Sequence, residues 1–244
     1  MRLHVLELGR FPGGGHPIPG FLVELDDGRR VLIDSGFRAP RPGPEHDAVA
    51  AHLAATGFGA EDAAYLLETD GRRLLIDALA RTGTAPEDVD ILVVTHLDLD
   101  HSGGLDLFPN AEVAVQRAAL ETADRDTDQR SWPVRAASGG VRWRLLDGDG
   151  TVAPGVDVVA TPGHVPGHQS VLVHLRGGAV LLTGDAVFEE ADWRPDRPPH
   201  PFDADGPAAV ASTRRLLALA AEHGVREVVF GHDPQRWAPG TVHT

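Results

Sequence analysis

The sequence predicts an αββα sandwich, two mixed β-sheets packed face to face with helices on their outer faces. Three observations predict it. Apolar runs of strand length come first as a meander and then alternate with helical stretches, and that order repeats in the second half. Several of these runs end in residues with metal-binding side chains, spread from His96 to His232, which must converge; residues 1–244 therefore read as one domain. A hydrophobic content of 42% is enough to fill the core such an architecture needs.

The elements follow in order. Met1 to Leu8 reads as a first strand. Phe21–Leu25 and Arg30–Ile33 flank a turn containing Asp27-Gly28, a hairpin signal. Residues 38–46, rich in proline and arginine, read as a loop. Helical spacing appears over Ala48–Thr56 and Arg72–Arg81, with Gly83 as a stop. Pro86-Glu87-Asp88 leads into a buried strand, Ile91–Val94. Ala111–Val115 is a short strand and Gln116–Ala123 a helix. Val141–Leu146, Val156–Ala160, Ser170–Leu175 and Ala179–Leu182 are strands, the last two joined at Gly177-Gly178. Residues 193–207 are proline-rich and loop-like. Pro207 suits the first turn of a helix running to His223, and Val225–Phe230 is the last strand.

Composition narrows the function. A formal charge of −14 excludes a nucleic-acid partner, because phosphate binding needs basic surface. No apolar stretch approaches the ~20 residues of a membrane span, and the N-terminal residues are too polar and short for a signal peptide. With no cysteine there is no disulfide framework, thiolate metal site or cysteine nucleophile, which fits a cytoplasmic protein.

Chemistry concentrates in five segments. Thr95-His96-Leu97-Asp98-Leu99-Asp100-His101-Ser102-Gly103-Gly104 follows the run Ile91–Val94. Thr161-Pro162-Gly163-His164, Thr183-Gly184-Asp185 and Gly231-His232-Asp233 each follow another apolar run, and Leu32-Ile33-Asp34-Ser35-Gly36 has the same strand-then-turn form. Imidazole nitrogens and carboxylate oxygens delivered from several strand ends are what a pair of divalent cations needs. Asp34 is expected to orient a ligand rather than bind metal, and Asp233 to be structural.

In these segments the chain resembles the metallo-β-lactamase superfamily of hydrolases, whose signature is H-x-H-x-D-H, then T-P-G-H, G-D and G-H. The resemblance runs from about Leu6 to His232, and His164-Val165-Pro166-Gly167-His168-Gln169-Ser170 is most similar to the N-acyl homoserine lactonase branch. It implies a first metal on His96, Asp98 and His164, a second on Asp100, His101 and His232, and Asp185 bridging. Two positions depart from the pattern. Asp98 stands where the family has histidine, so the motif reads H-x-D-x-D-H. Phe188 stands three residues after the bridging Asp, where the lactonase branch tends to carry a tyrosine whose phenol can stabilise an oxyanion; the only tyrosine here is Tyr65. The carboxylate at 98 removes the net positive charge that an all-histidine site retains. That predicts a weaker Lewis acid and tilts metal choice from zinc toward iron or manganese.

The resemblance implies a metal-dependent hydrolase that uses a binuclear metal-bound hydroxide to open a small ester, foremost a lactone, with Asp100 and Asp185 as catalytic groups and two divalent ions, zinc first, as the only cofactors. His168, Phe188, Trp193, His200 and Phe202 are expected around the substrate pocket, with Trp132 and Trp143 as further wall candidates. The alternatives are a glyoxalase II-like thioesterase, a diiron redox protein, or a non-catalytic binding protein on the same fold. A small-molecule partner, no nucleic acid, no membrane, and a monomer or homodimer complete the expectation.

Overall fold

A computed structural model describes residues 1–125, 129–137 and 139–244. Among these described residues twelve strands form two sheets. The first contains β1 (Arg2–Arg10), β2 (Pro17–Glu24), β3 (Arg30–Ile33), β4 (Ile91–Val93), β5 (Glu112–Gln116), β6 (Arg142–Leu146) and β12 (Val242–His243), in the order β12-β1-β2-β3-β4-β5-β6. The second contains β7 (Gly150–Ala153), β8 (Val156–Ala160), β9 (Gln169–Leu175), β10 (Gly178–Leu182) and β11 (Glu227–Val229), in the order β11-β10-β9-β8-β7. Both sheets are mixed: β3 through β6 pair in parallel, as do β10 and β11, and the remaining pairs are antiparallel.

The period-2 alternation of a strand explains why the sheets have two buried faces. In β2 to β4, Phe21, Val23, Val31, Ile33, Ile91 and Val93 point inward against Val171, Val173, Val180 and Leu182 of the other sheet. Their neighbours Leu22, Leu32 and Leu92 point outward, into a layer shared with Val49 and Leu53 of α1 (Pro44–Ala55), Leu66 of α2 (Ala60–Glu68) and Leu75 and Leu79 of α3 (Gly71–Ala80). On the opposite outer face Leu172 and Leu181 meet Leu216 of α6 (Gly206–Glu222). The helices α4 (Arg117–Ala123) and α5 (Trp132–Ala136) pack on the α1–α3 side through Ala119, Ala123 and Trp132. Asp205 caps α6 by accepting the Ala208 N–H, with Pro207 in the first turn.

The expected sandwich is therefore the observed one, with local differences. The strand β2 begins at Pro17, ahead of the expected Phe21, because β3 pairs only Phe21–Glu24; Pro17 and Pro19 lie where no ladder to β3 requires their missing N–H. Helices α2 and α5 and strands β7 and β12 were not anticipated. Each is short: α2, α5 and β12 are held by packing or pairing with distant chain, and β7 by its hairpin with β8, rather than by a pattern of their own. Among the described residues no helix is long and apolar enough to cross a membrane.

Candidate metal centre

The strands β3, β4, β8, β10 and β11 deliver their C-terminal ends to one edge of the sandwich, and each of the five sequence segments starts there. The turns are tight for steric reasons. Asp34 adopts φ 59°, a left-handed conformation that aspartate tolerates better than most residues. A Cβ on Gly103 would lie 2.1 Å from the carbonyl carbon of Phe37, and one on Gly231 would lie 2.8 Å from Asp185 Oδ1. Glycine is required at both places to let the segments converge.

Six of the seven residues expected to bind metal fall into two clusters whose ligand atoms face one another: His96, His164 and Asp185, and Asp100, His101 and His232. Asp185 reaches both. Its Oδ2 lies 3.8 Å from His96 Nε2 and 3.5 Å from His164 Nε2, while its Oδ1 lies 3.4 Å from His101 Nε2 and 3.2 Å from His232 Nε2. Asp100 Oδ2 lies 3.7 Å from both His101 Nε2 and His232 Nε2. Asp98, the seventh, joins the first cluster through Oδ2, 3.4 Å from His96 Nε2 and 3.1 Å from His164 Nε2. A tetrahedral ion with bonds of about 2.0–2.1 Å holds its ligand atoms roughly 3.3 Å apart. The carboxylate–imidazole distances, 3.1–3.8 Å, lie near that spacing, and all ligand atoms of each three-residue cluster fall within 4.8 Å of one another. His96 Nε2, His101 Nε2 and Asp185 Oδ1 are buried without a hydrogen-bond partner, which is costly unless a cation completes them. The residues present fit a pair of divalent ions.

Hydrogen bonds behind the rings set which nitrogen faces inward. Asp34 accepts the Thr95 N–H at 2.7 Å, the Thr95 hydroxyl at 2.8 Å and His101 Nδ1–H at 2.8 Å. With its proton given to Asp34, Thr95 Oγ1 is free to accept His96 Nδ1–H at 3.0 Å. The Pro17 carbonyl accepts His232 Nδ1–H at 2.7 Å. In each ring the Nε2 lone pair is thereby left for a cation. His164 Nδ1 faces Asp203 Oδ1 at 3.6 Å, and Asp203 is held by the buried Arg197.

Electrostatics follow from this crowding. Burial works to lower His101, but the carboxylates of Asp185, Asp100 and Asp34 raise it well above the usual imidazole value; Asp185 raises His232 against burial in the same way. Burial and the charge of His101 lower His96. Burial opposes ionisation of Asp98 and Asp185, yet Arg130 and His96 hold the first, and His232 and His101 the second, well below the carboxylate range. At His164 burial opposes the charged form, and Asp203 and Asp98 raise it to about 9. The guanidinium of Arg130 favours the neutral form instead, because its Nη2 lies 2.9 Å from His164 Nε2 and two N–H groups cannot face each other at that distance. Geometry decides for the neutral ring.

A cavity of about 440 Å³ opens over both clusters. Phe188, His200 and Phe202 line it as expected of pocket residues, joined by Phe11, Phe58 and His16. Phe188 stacks on His200 at 4.0 Å and faces His232 at 5.7 Å. Two expected pocket residues lie elsewhere. His168 is fully buried behind the site, donating from Nδ1 to Thr161 Oγ1 at 2.8 Å and accepting the Asp185 N–H at Nε2 at 3.0 Å; it positions the Asp185 turn. Trp193 packs edge-on against Phe230, in the apolar cluster that includes Leu216 of α6. Trp132 and Trp143 pack in the α1–α3 layer and do not line the cavity. Asp233 accepts backbone N–H groups of Glu190, Gln235 and Arg236, a structural role.

Three contributors escaped the sequence reading: Thr95, Asp203 and Arg130. Arg130 Nε lies 2.7 and 2.8 Å from the two Asp98 oxygens. The only sequence signal for it was the unbalanced negative charge of Asp98 itself.

Two sets of candidate ligand atoms, drawn together around one carboxylate at the strand ends of an αββα sandwich, are an arrangement that could hold divalent metal. The chain belongs to the metallo-β-lactamase superfamily, whose profile matches residues 13–232. An N-acyl homoserine lactonase from a Bacillus species is 32% identical over 218 residues, 89% of this chain and 81% of the relative. The N-acyl homoserine lactonase AttM of Azorhizobium caulinodans is 32% identical over 271 aligned residues, 98% of this chain and 93% of the relative. A crystal structure of a Bacillus thuringiensis AiiA variant with N-decanoyl-L-homoserine at its active site superposes with a TM-score of 0.77 at 25% identity, covering 96% of this chain and 94% of that one.

Proposed function

We propose that this protein hydrolyses a small neutral carboxylic ester, foremost a lactone, at two divalent ions, zinc first among them. The observation that carries the proposal is the Asp185 carboxylate, which stands within 3.8 Å of two imidazole nitrogens of each cluster: Oδ2 faces His96 and His164, Oδ1 faces His101, and His232 lies 3.2 Å from Oδ1 and 3.3 Å from Oδ2. His96, His164, Asp98 and Asp185 would hold the first ion, and Asp100, His101, His232 and Asp185 the second. Bound there, such ions supply Lewis acidity and bring the pKa of a water toward ~7.

The chain's own groups support the rest. Asp100 lines the cavity with Oδ2 turned to His101 and His232, which leaves its other oxygen to take a proton from the attacking water and return it to the leaving alkoxide. Phe11, Phe58 and Phe202 give the cavity an apolar side suited to an acyl chain; Phe58 and Phe202 stack at 5.5 Å. Asp62, Glu189 and Asp192 line the same cavity and disfavour anionic substrates. An uncharged ester enters against no repulsion, and the carboxylate product meets an acidic wall.

The lactonase relatives favour lactone over thioester. The test is a panel of acyl homoserine lactones, simple lactones, linear esters and thioesters, run on metal-loaded and chelator-stripped protein. Lactone turnover lost on stripping and restored by zinc is expected. Turnover indifferent to chelation, or confined to thioesters, sinks the reading.

A further inference from the structure

The Asp98 carboxylate has a cation against it already. Arg130 Nε lies 2.7 and 2.8 Å from its two oxygens, and Nη2 lies 2.7 Å from Oδ2. The same Nη2 lies 2.9 Å from His164 Nε2, and Nη1 and Nη2 approach the Phe202 carbonyl at 3.5 and 3.4 Å. The guanidinium thus takes the lone pairs of two of the four ligand atoms in the first set. Among the described residues Asp100, His101 and His232 make no hydrogen bond with it, Asp185 Oδ1 has no hydrogen-bond partner, and Asp185 Oδ2 has only His232 Nε2, at 3.3 Å. The two half-sites are therefore unequal.

We infer that Arg130 is the resident cation of the first half-site, so that the Asp100–His101–His232 half fills first and the second equivalent of metal binds only by displacing a guanidinium from Asp98 and His164. Charge counting agrees. Asp98, Asp100 and Asp185 carry three negative charges, and one divalent ion together with Arg130 neutralises them. A second ion brings two further charges to ligand carboxylates already matched, with Asp34 behind His101 left to offset them, and meets a competitor on two of its ligand atoms. Asp98 with Arg130 is then the electrostatic equivalent of a neutral histidine, and the aspartate at this position is half of a unit rather than a damaged ligand.

This inference rests on the metal centre proposed above, and its failure is separable from failure of that centre. Metal-stripped protein is titrated with zinc in competition with a chelating dye, and stepwise affinities are compared for the native chain, Arg130→Met and Arg130→Lys, each checked for folding by circular dichroism. The native chain should show two steps at least tenfold apart. Arg130→Met should tighten the weaker step tenfold or more and leave the tighter one within about threefold, whereas Arg130→Lys, which keeps the charge, should retain well-separated steps. Two native steps of equal affinity overturn the inference even where no variant folds. So does an Arg130→Met protein whose weaker step is unchanged or weaker still. A native chain that takes up no zinc overturns the metal centre and the inference with it.

Discussion

The carboxylate of Asp34 accepts the Nδ1–H of His101 at 2.8 Å and also satisfies both the backbone and the hydroxyl of Thr95, which in turn accepts from His96. One residue outside both ligand clusters thus orients an imidazole in each of them. The role requires Asp34 to sit at φ 59°, where the turn from β3 is sharp enough to bring its side chain beneath the β4 loop.

Asp34→Ala should therefore cost both metal affinity and stability. Loss of a partner behind a metal-binding imidazole lowers affinity by about 10- to 100-fold. The buried donors left on Thr95 and His101 add a destabilisation of roughly 1–3 kcal/mol. Asparagine tolerates the same backbone and retains one acceptor, so Asp34→Asn should lose less. Zinc titration and denaturant unfolding check both, and equal losses for the two variants would contradict the account.

Asp185→Asn should abolish lactone turnover, by at least about 1000-fold. Asparagine keeps the volume and the acceptor oxygen but presents an NH₂ where the second half-site needs a negative oxygen. Its backbone N–H to His168 Nε2 is unaffected, so the fold should persist. Residual activity within tenfold of the native chain, at unchanged metal content, removes Asp185 from the mechanism.

Metal uptake at neutral pH should release protons. His101 and His232 have raised pKa values in the metal-free protein, so each must lose a proton to bind an ion. Calorimetric zinc titrations in two buffers of different ionisation enthalpy measure the number. The sign for stability follows from the same shifts. The imidazolium contribution is complete below the ordinary histidine value of 6.5 and is lost as pH rises through the raised folded values. Asp98 and Asp185 are depressed, so their contribution is lost on acidification below the carboxylate range. Burial depresses His96 and His168, so their contribution is lost as pH falls below the ordinary histidine value of 6.5. Metal-stripped protein should be most stable near that value, with Tm falling on both sides, and zinc should flatten the alkaline fall. A Tm that rises steadily from about pH 6 to about pH 9 contradicts these assignments.

Phe188→Tyr should raise kcat for lactones by about 10-fold or more, because it adds a hydroxyl donor to the cavity wall. The ring is already fixed by stacking on His200 at 4.0 Å, so little side-chain entropy opposes the gain. Unchanged kcat with unchanged metal content means that oxyanion stabilisation is supplied elsewhere.

The αββα architecture was legible in the order of strand and helix patterns, and the resemblance to a known family named His96, Asp100, His101, His164, Asp185 and His232, whose side chains the fold brings together. Buried strands announce themselves as short apolar runs, and turn residues directly after them mark the strand ends where a site is built. Helix α2 and strand β12 were not legible, since contact with distant chain stabilises them more than propensity does, and β7 is a four-residue edge strand too short to carry a pattern. The same division runs through the site. Local order placed ligand types at the strand ends. It could not show that His168 turns away from substrate to hold the Asp185 N–H, or that Trp193 finds the α6 layer instead of the cavity. Nor could it show that Arg130, thirty-two residues along the chain, closes on Asp98. Identity and spacing are local properties, and the sequence by itself determined them. Which charge meets which inside a low-dielectric core depends on how distant segments pack, and only the tertiary structure decided that.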